Sequence, residues 1–282
     1  MVTVTVDTLV DGLAFPVGAR WHAGHLWFSD LFTGEVLALD PAGGALNTIA
    51  EVAGLPAGLG FLPDGRLLIA STRDRLLLRR EADGSVLVHA DLAGVTTRRL
   101  ADLCVDAVGR AYVGSRGDDD APASTADLAM VEADGTVHDV AGALTCTGGI
   151  VVGADGRTLT VAESRAVPAR LTAFTIEPDG GLEQQRVFAE FDTGTQPEGL
   201  AIDAEDGIWV ASPTTADVLR VDTYGAVTDR LTIRCPYAVA LGGDDGRDLF
   251  VCTSRSHVPE EALEERSGTV LRMRVSVPGP GH

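Results

Sequence analysis

Short runs in which apolar and polar residues alternate fill this chain, each closed by a turn rich in Gly, Asp or Pro. Alternation of this kind marks half-buried β-strands, and helical periodicity is scarce. Six segments share one pattern, a turn with glycine followed by an alternating strand. They are His22-Ala-Gly-His-Leu-Trp-Phe-Ser-Asp30, Pro63-Asp-Gly-Arg-Leu-Leu-Ile-Ala-Ser71 and Ala107-Val-Gly-Arg-Ala-Tyr-Val-Gly-Ser115. The other three are Ala154-Asp-Gly-Arg-Thr-Leu-Thr-Val-Ala162, Glu205-Asp-Gly-Ile-Trp-Val-Ala211 and Asp245-Gly-Arg-Asp-Leu-Phe-Val-Cys252. Second turns at Asp83-Gly84, Asp134-Gly135 and Asp179-Gly180-Gly181 sit between further alternating strands, as hairpins require. Residues 121–128 and 259–266 are predicted to hold a turn or two of helix, in loops.

The repeat period is about 40–50 residues with four short strands per unit, the pattern of a propeller blade. Six units predict an all-β, six-bladed β-propeller occupying residues 1–282 as a single domain. The alternating Val2-Thr3-Val4-Thr5-Val6 run is expected to complete the blade of the C-terminal strand at 268–277, so that no sheet edge stays open.

Composition narrows the function. The chain has 282 residues, 33 of them Gly, and a formal net charge of −19. That charge argues against nucleic acid as a partner and against anionic membrane surfaces. No stretch of about 18 apolar residues exists, and the N-terminus lacks the basic start and apolar run of a signal peptide. Cys104, Cys146, Cys235 and Cys252 are scattered without a CxxC pair, so reduced thiols and a cytoplasmic location are expected. The expected partner is a small molecule, and the expected oligomeric state is a monomer.

Propellers place ligands on the central channel. Superposing the repeats gives one residue per blade in the segment that leads into the innermost strand. These are Val17, Ala57, Ala101, Gly148, Glu198 and Tyr237. Five lack a charge and one is a carboxylate.

Several stretches resemble the SMP-30/gluconolactonase (regucalcin-like) family of six-bladed propellers. They include Phe15-Pro-Val-Gly-Ala-Arg-Trp21, Leu100-Ala-Asp-Leu-Cys-Val-Asp106 and Pro197-Glu-Gly-Leu-Ala-Ile-Asp203. The resemblance implies a divalent cation, calcium or zinc, held by a Glu, an Asn and an Asp, with a further Asn on the substrate. Those positions fall here on Val17, Ala101, Gly148 and Glu198, and only Glu198 keeps an oxygen donor. A hard cation needs several oxygen ligands. No metal site and no cofactor are therefore expected.

What remains is a carboxylate at the mouth of an apolar channel. Desolvation raises the pKa of such a group and suits it to general acid–base work. The candidate catalytic residues are Glu198, Tyr237 and Asp102. Asp102 matches the Asp of the family's ND motif, where a loop-bracing role is the alternative. Candidate substrate contacts are Arg99, Val17, Ala57, Ala101, Cys146, Thr147, Gly148 and Arg116, with Arg99 also a possible counter-ion for Glu198. The leading functional expectation is metal-independent proton transfer on a small, fairly apolar molecule: an isomerisation, elimination or cyclisation. A divergent lactone or ester hydrolase and a non-catalytic binding propeller are the alternatives. His22 and His25 belong to a surface hairpin. The acidic cluster after His257 reads as a solvated helix face.

Overall fold

The computed structural model describes residues 5–116 and 125–281. They form six four-stranded antiparallel sheets around a central axis. The innermost strands are Pro16–His22, Pro56–Phe61, Leu100–Val105, Thr147–Val152, Leu200–Ile202 and Pro236–Gly242. Blades one to five follow chain order outward, and blade six is built from both chain ends.

Local chemistry sets the hairpins. In turn after turn an aspartate side chain accepts the backbone N–H two residues on, fixing the reversal before any tertiary contact forms. Asp64 does so with Arg66 at 3.0 Å, Asp134 with Thr136 at 2.9 Å and Asp155 with Arg157 at 2.8 Å. The glycine that follows takes the left-handed conformation the turn needs, as at Gly65 (φ 85°) and Gly135 (φ 94°).

Apolar faces of neighbouring blades then pack sheet on sheet, and each of the six blade interfaces carries its own buried cluster. Leu68, Leu77 and Leu92 of blade two meet Leu103 and Val113 of blade three. Phe28 and Leu39 of blade one meet Phe250 and Val270 of blade six. Blades three and four join through Tyr112, Leu128, Ile150 and Phe174. The core is thus a ring of six wedges, which leaves the axis itself free to be a site.

Blade six closes the ring with a strand other than the one expected. Val6–Leu13 pairs with Gly268–Arg274, from Val6 opposite Met273 to Leu13 opposite Gly268. Register shifts between Thr8 and Val10, and again between Val10 and Leu13, break the alternation that would have announced this strand. Residues 2–4 of the expected run lie outside the described residues. The helix expected over 121–128 is also corrected. Thr125–Val131 is a strand of blade three, paired on both sides, and residues 121–124 lie outside the described residues. From Leu128 onward the strand has a ladder neighbour on each side, which satisfies more backbone groups than an isolated helical turn could. The other expected helix is present as Pro259–Glu265. No helix among the described residues is long and apolar enough to cross a membrane.

Candidate active site

The ring positions are made by backbone irregularity. In five blades the innermost strand slips register at this level: between Val17 and Arg20, Pro56 and Leu59, Leu100 and Leu103, Thr147 and Ile150, and Pro236 and Ala238. Bulges re-aim side chains and commonly flank active sites. In blade five the residues before Leu200 take this role, with Glu198 N–H donating to Ala211 at 2.9 Å. Val17, Ala57, Ala101, Gly148, Glu198 and Tyr237 together line one narrow chamber of about 70 Å³ on the axis. The superposition of repeats and the structure agree on all six.

Glycine lets these strands converge. A Cβ on Gly149 would sit 2.4 Å from the Leu200 nitrogen, and one on Gly18 would sit 2.2 Å from the Ala57 carbonyl oxygen. Backbone bonds tie the ring across blades, Gly149 N–H to the Glu198 carbonyl at 2.8 Å and Gly199 N–H to the Tyr237 carbonyl at 2.9 Å.

Glu198 is the outlier in this apolar ring. Its side chain is 17% exposed, and its nearest guanidinium is Arg116 at 3.7 Å. Among the described residues its carboxylate accepts no hydrogen bond. Burial pushes its pKa above the usual glutamate range, while the positive charges of Arg116, Arg165 and His257 pull the other way. Tyr237 tilts against Phe15, with ring centroids 4.6 Å apart. Its phenol is pushed up to about 12, first by burial and then by the negative charge of Glu198. It therefore stays protonated at neutral pH and keeps an O–H to donate.

Asp102 is a different kind of carboxylate. Both of its oxygens accept from Arg20 Nη2 at 2.8 Å, and the same nitrogen donates to the Leu103 carbonyl. Arg20 of blade one thus clamps the innermost strand of blade three. The chamber offers a hard cation little. Val17, Ala101 and Gly148 carry no donor, Asp102 is held by Arg20, and Glu198 stands alone. No cluster of three His, Cys, Asp or Glu suited to a metal occurs among the described residues. A Cβ at position 148 would lie 3.0 Å from the carbonyl oxygens of Pro197 and Glu198. An asparagine in that place would need the neighbouring loop to give way. The donor set among the described residues does not fit the cation implied by the family.

Above this ring the channel widens into a second chamber of about 700 Å³ that shares Phe15, Thr72, Arg116, Glu198 and Tyr237 with the first. Arg99 lies on its wall but does not pair with Glu198; Arg116 takes that place. Thr147 lines the inner chamber, its hydroxyl donating to the Ser115 carbonyl at 2.8 Å. Cys146 is the exception among the expected contacts. It is buried in a left-handed turn (φ 51°) and lines neither of these two chambers, because that turn carries it off the channel wall. Sequence reasoning overlooks Arg20, Thr72, Arg73, Arg165 and His257, all of which line one chamber or the other. A signal for three of the wall arginines exists: Arg73, Arg116 and Arg165 each fall within two residues of the end of the second strand of blades two, three and four.

A β-propeller whose axial chamber holds Glu198 beside the arginine-bound Asp102 defines the class of protein, and comparison with known proteins defines the family. The chain belongs to the SMP-30/Gluconolactonase/LRE-like family, whose profile matches residues 15–255. It is 27% identical to a 6-deoxy-6-sulfogluconolactonase of Pseudomonas putida over 263 residues, covering 90% of this chain and 88% of that protein. Its fold is that of a luciferin-regenerating enzyme, with a TM-score of 0.84, 19% identity and coverage of 98% and 97% of the two chains. A calcium-binding regucalcin of Agrobacterium tumefaciens is equally similar in fold (TM-score 0.83, 23% identity, 98% and 95% covered). The scaffold is gluconolactonase-like and has a lactonase relative.

Proposed function

We propose that this protein is an acid–base enzyme that moves a proton at Glu198 on a small carbonyl compound, without the divalent cation implied for its family. The observation that carries this reading is the state of Glu198. It is a carboxyl group in an apolar ring, with a raised pKa, no hydrogen bond among the described residues, and a guanidinium 3.7 Å away. A base of this kind is poised nearer neutrality than an ordinary glutamate, which favours proton transfer at physiological pH.

The step is a proton transfer from the carbon next to the carbonyl to the Glu198 carboxylate, while the C–H electron pair forms a C=C bond and the C=O π pair moves onto the carbonyl oxygen. Arg116, and Tyr237 in its protonated form, supply donors for that developing oxyanion. Return of the proton to a different carbon gives an isomerisation, and loss of a leaving group gives an elimination. Asp102 acts here as a brace, since Arg20 engages both of its oxygens.

A second reading, hydrolytic opening of a lactone, is favoured by the match to a named lactonase over 90% of the chain. Glu198 would then take a proton from the attacking water, and Arg116 would stabilise the tetrahedral oxyanion.

One experiment separates the two. EDTA-treated wild type and Glu198→Gln are incubated in D2O with a panel of γ- and δ-lactones and their ketone analogues, followed by NMR and by acid release. Deuterium entering the carbon next to the carbonyl, without acid release, supports the first reading; acid release supports the second. A Glu198→Gln protein as active as wild type overturns both, as does activity that disappears with EDTA and returns only with a cation.

A further inference from the structure

The outer chamber has a character that neither reading of Glu198 explains. The protein carries a net charge of −19, yet Arg73, Arg99, Arg116 and Arg165 line this chamber together with His257. Among the described residues Glu198 is the one carboxylate on its wall. Arg116 stands beside Glu198, and Arg165 is close enough to lower its pKa. Arg73 and Arg99 lie farther out, both exposed, and neither makes an ion pair among the described residues.

Guanidiniums are the residues of choice for carboxylate, sulfonate and phosphate groups, which they grip through two parallel hydrogen bonds. Placing several on one concave wall of an acidic protein works against its long-range field, because the net charge repels anions at a distance. At physiological salt that repulsion is screened beyond about 8 Å, so the local wall decides what settles in the chamber. A second feature points to a polar guest. Thr72 lines both chambers, is 7% exposed, and its hydroxyl has no hydrogen-bond partner among the described residues.

We infer that the substrate is an organic anion. Its acid group is bound by Arg73 and Arg99 in the outer chamber, and its uncharged reacting end enters the apolar ring at Glu198. The inference rests on Glu198 as the reacting group and adds the substrate class. Size supports this orientation: about 70 Å³ in the ring admits only a few atoms, whereas about 700 Å³ above it holds the rest of the molecule. Like charge keeps the acid group away from Glu198 and on the arginine side.

Binding measured by calorimetry, independently of turnover, tests this. The probes are 4-phenylbutanoate, phenylmethanesulfonate and phenyl phosphate, against neutral 4-phenylbutanamide. At least one acid is expected to bind ten times or more tighter than the amide, and the best of the three identifies the acid group. Arg73→Ala/Arg99→Ala, which removes only exposed side chains and should melt like wild type, is expected to bring that acid down to the level of the amide. Arg272→Ala, on the third strand of blade six where Arg272 pairs with Asp7 of the outermost strand at 3.0 Å, is expected to change nothing. Equal binding of acids and amide overturns the inference, as does absence of acid binding at millimolar concentration. So does an Arg73→Ala/Arg99→Ala protein that binds the acid as wild type does, or an Arg272→Ala protein that loses it equally. Glu198→Gln keeps the two proposals apart. A variant that is inactive but still binds the acid, as tightly or more so, supports both. A fully active variant that prefers the acid overturns only the role of Glu198.

Discussion

Two glutamates in adjacent blades show how one side chain serves opposite ends. Glu163, at the end of a strand in blade four, is fully buried. It accepts from Arg170 at 2.8 Å and from the backbone and hydroxyl of Thr145 at 2.8 and 2.9 Å, with Thr172 completing the set. Burial alone would raise its pKa, but these donors outweigh burial and hold it below the usual range. Glu198, on the axis, is somewhat more exposed and has no such donors among the described residues, and its pKa is raised. The difference teaches that the hydrogen bonds set against burial decide whether a buried carboxylate is a fixed part of the frame or a group ready to exchange a proton.

Replacing each glutamate in turn breaks the comparison most directly. Glu198→Gln is expected to lower turnover by roughly 10²–10⁴, the usual contribution of a positioned base, without lowering the unfolding midpoint. Glu163→Gln should do the reverse. It leaves Arg170 without its anion and costs about 2–3 kcal/mol in urea unfolding, while turnover per folded molecule is kept. Gly149→Ala tests whether the ring needs its close backbone approach. The added methyl meets the Leu200 nitrogen, and a loss of about 1–3 kcal/mol in the same assay is expected.

The smaller effects sharpen the contrast through pH. The stabilising contribution of Glu163 is present above its unfolded pKa of about 4.3 and is lost as pH falls through its lower folded value. Glu198 works the other way. The folded state holds its proton more tightly, so stability declines as pH rises from about 4.3 through its raised folded value. Glu198→Gln should therefore match wild type in stability at low pH and exceed it at neutral pH, as thermal melts across pH would record. In Arg116→Ala, loss of the nearest positive charge should move the acidic limb of the pH–rate profile upward; an unmoved limb would mean that Arg116 does not tune this group.

Much of the architecture is legible in the chain itself, because a propeller writes its repeat into the sequence. The turn aspartates and glycines and the alternating strands recur with the blade, so blade number and the six ring residues follow from superposing repeats. The exceptions lie where the pattern is locally broken. Val6–Leu13 hides behind two register shifts, and Thr125–Val131 shows its strand character only through pairing on both sides. The site was legible in its apolar ring and its single Glu198. It was less so in its charges: Arg99 was the expected counter-ion of Glu198, whereas a strand end in blade three brings Arg116 there instead.

The sequence by itself determined the six-fold repeat, the hairpin chemistry and the apolar character of the ring, since each depends on residues close together in the chain. Tertiary structure decided which charges meet. Arg20 reaches Asp102 across 82 positions, and Arg73, Arg99, Arg116, Arg165 and His257 gather on one wall from four different blades. Electrostatic partnership depends on distance in space and on the water excluded between groups, and only the closed ring of blades fixes either.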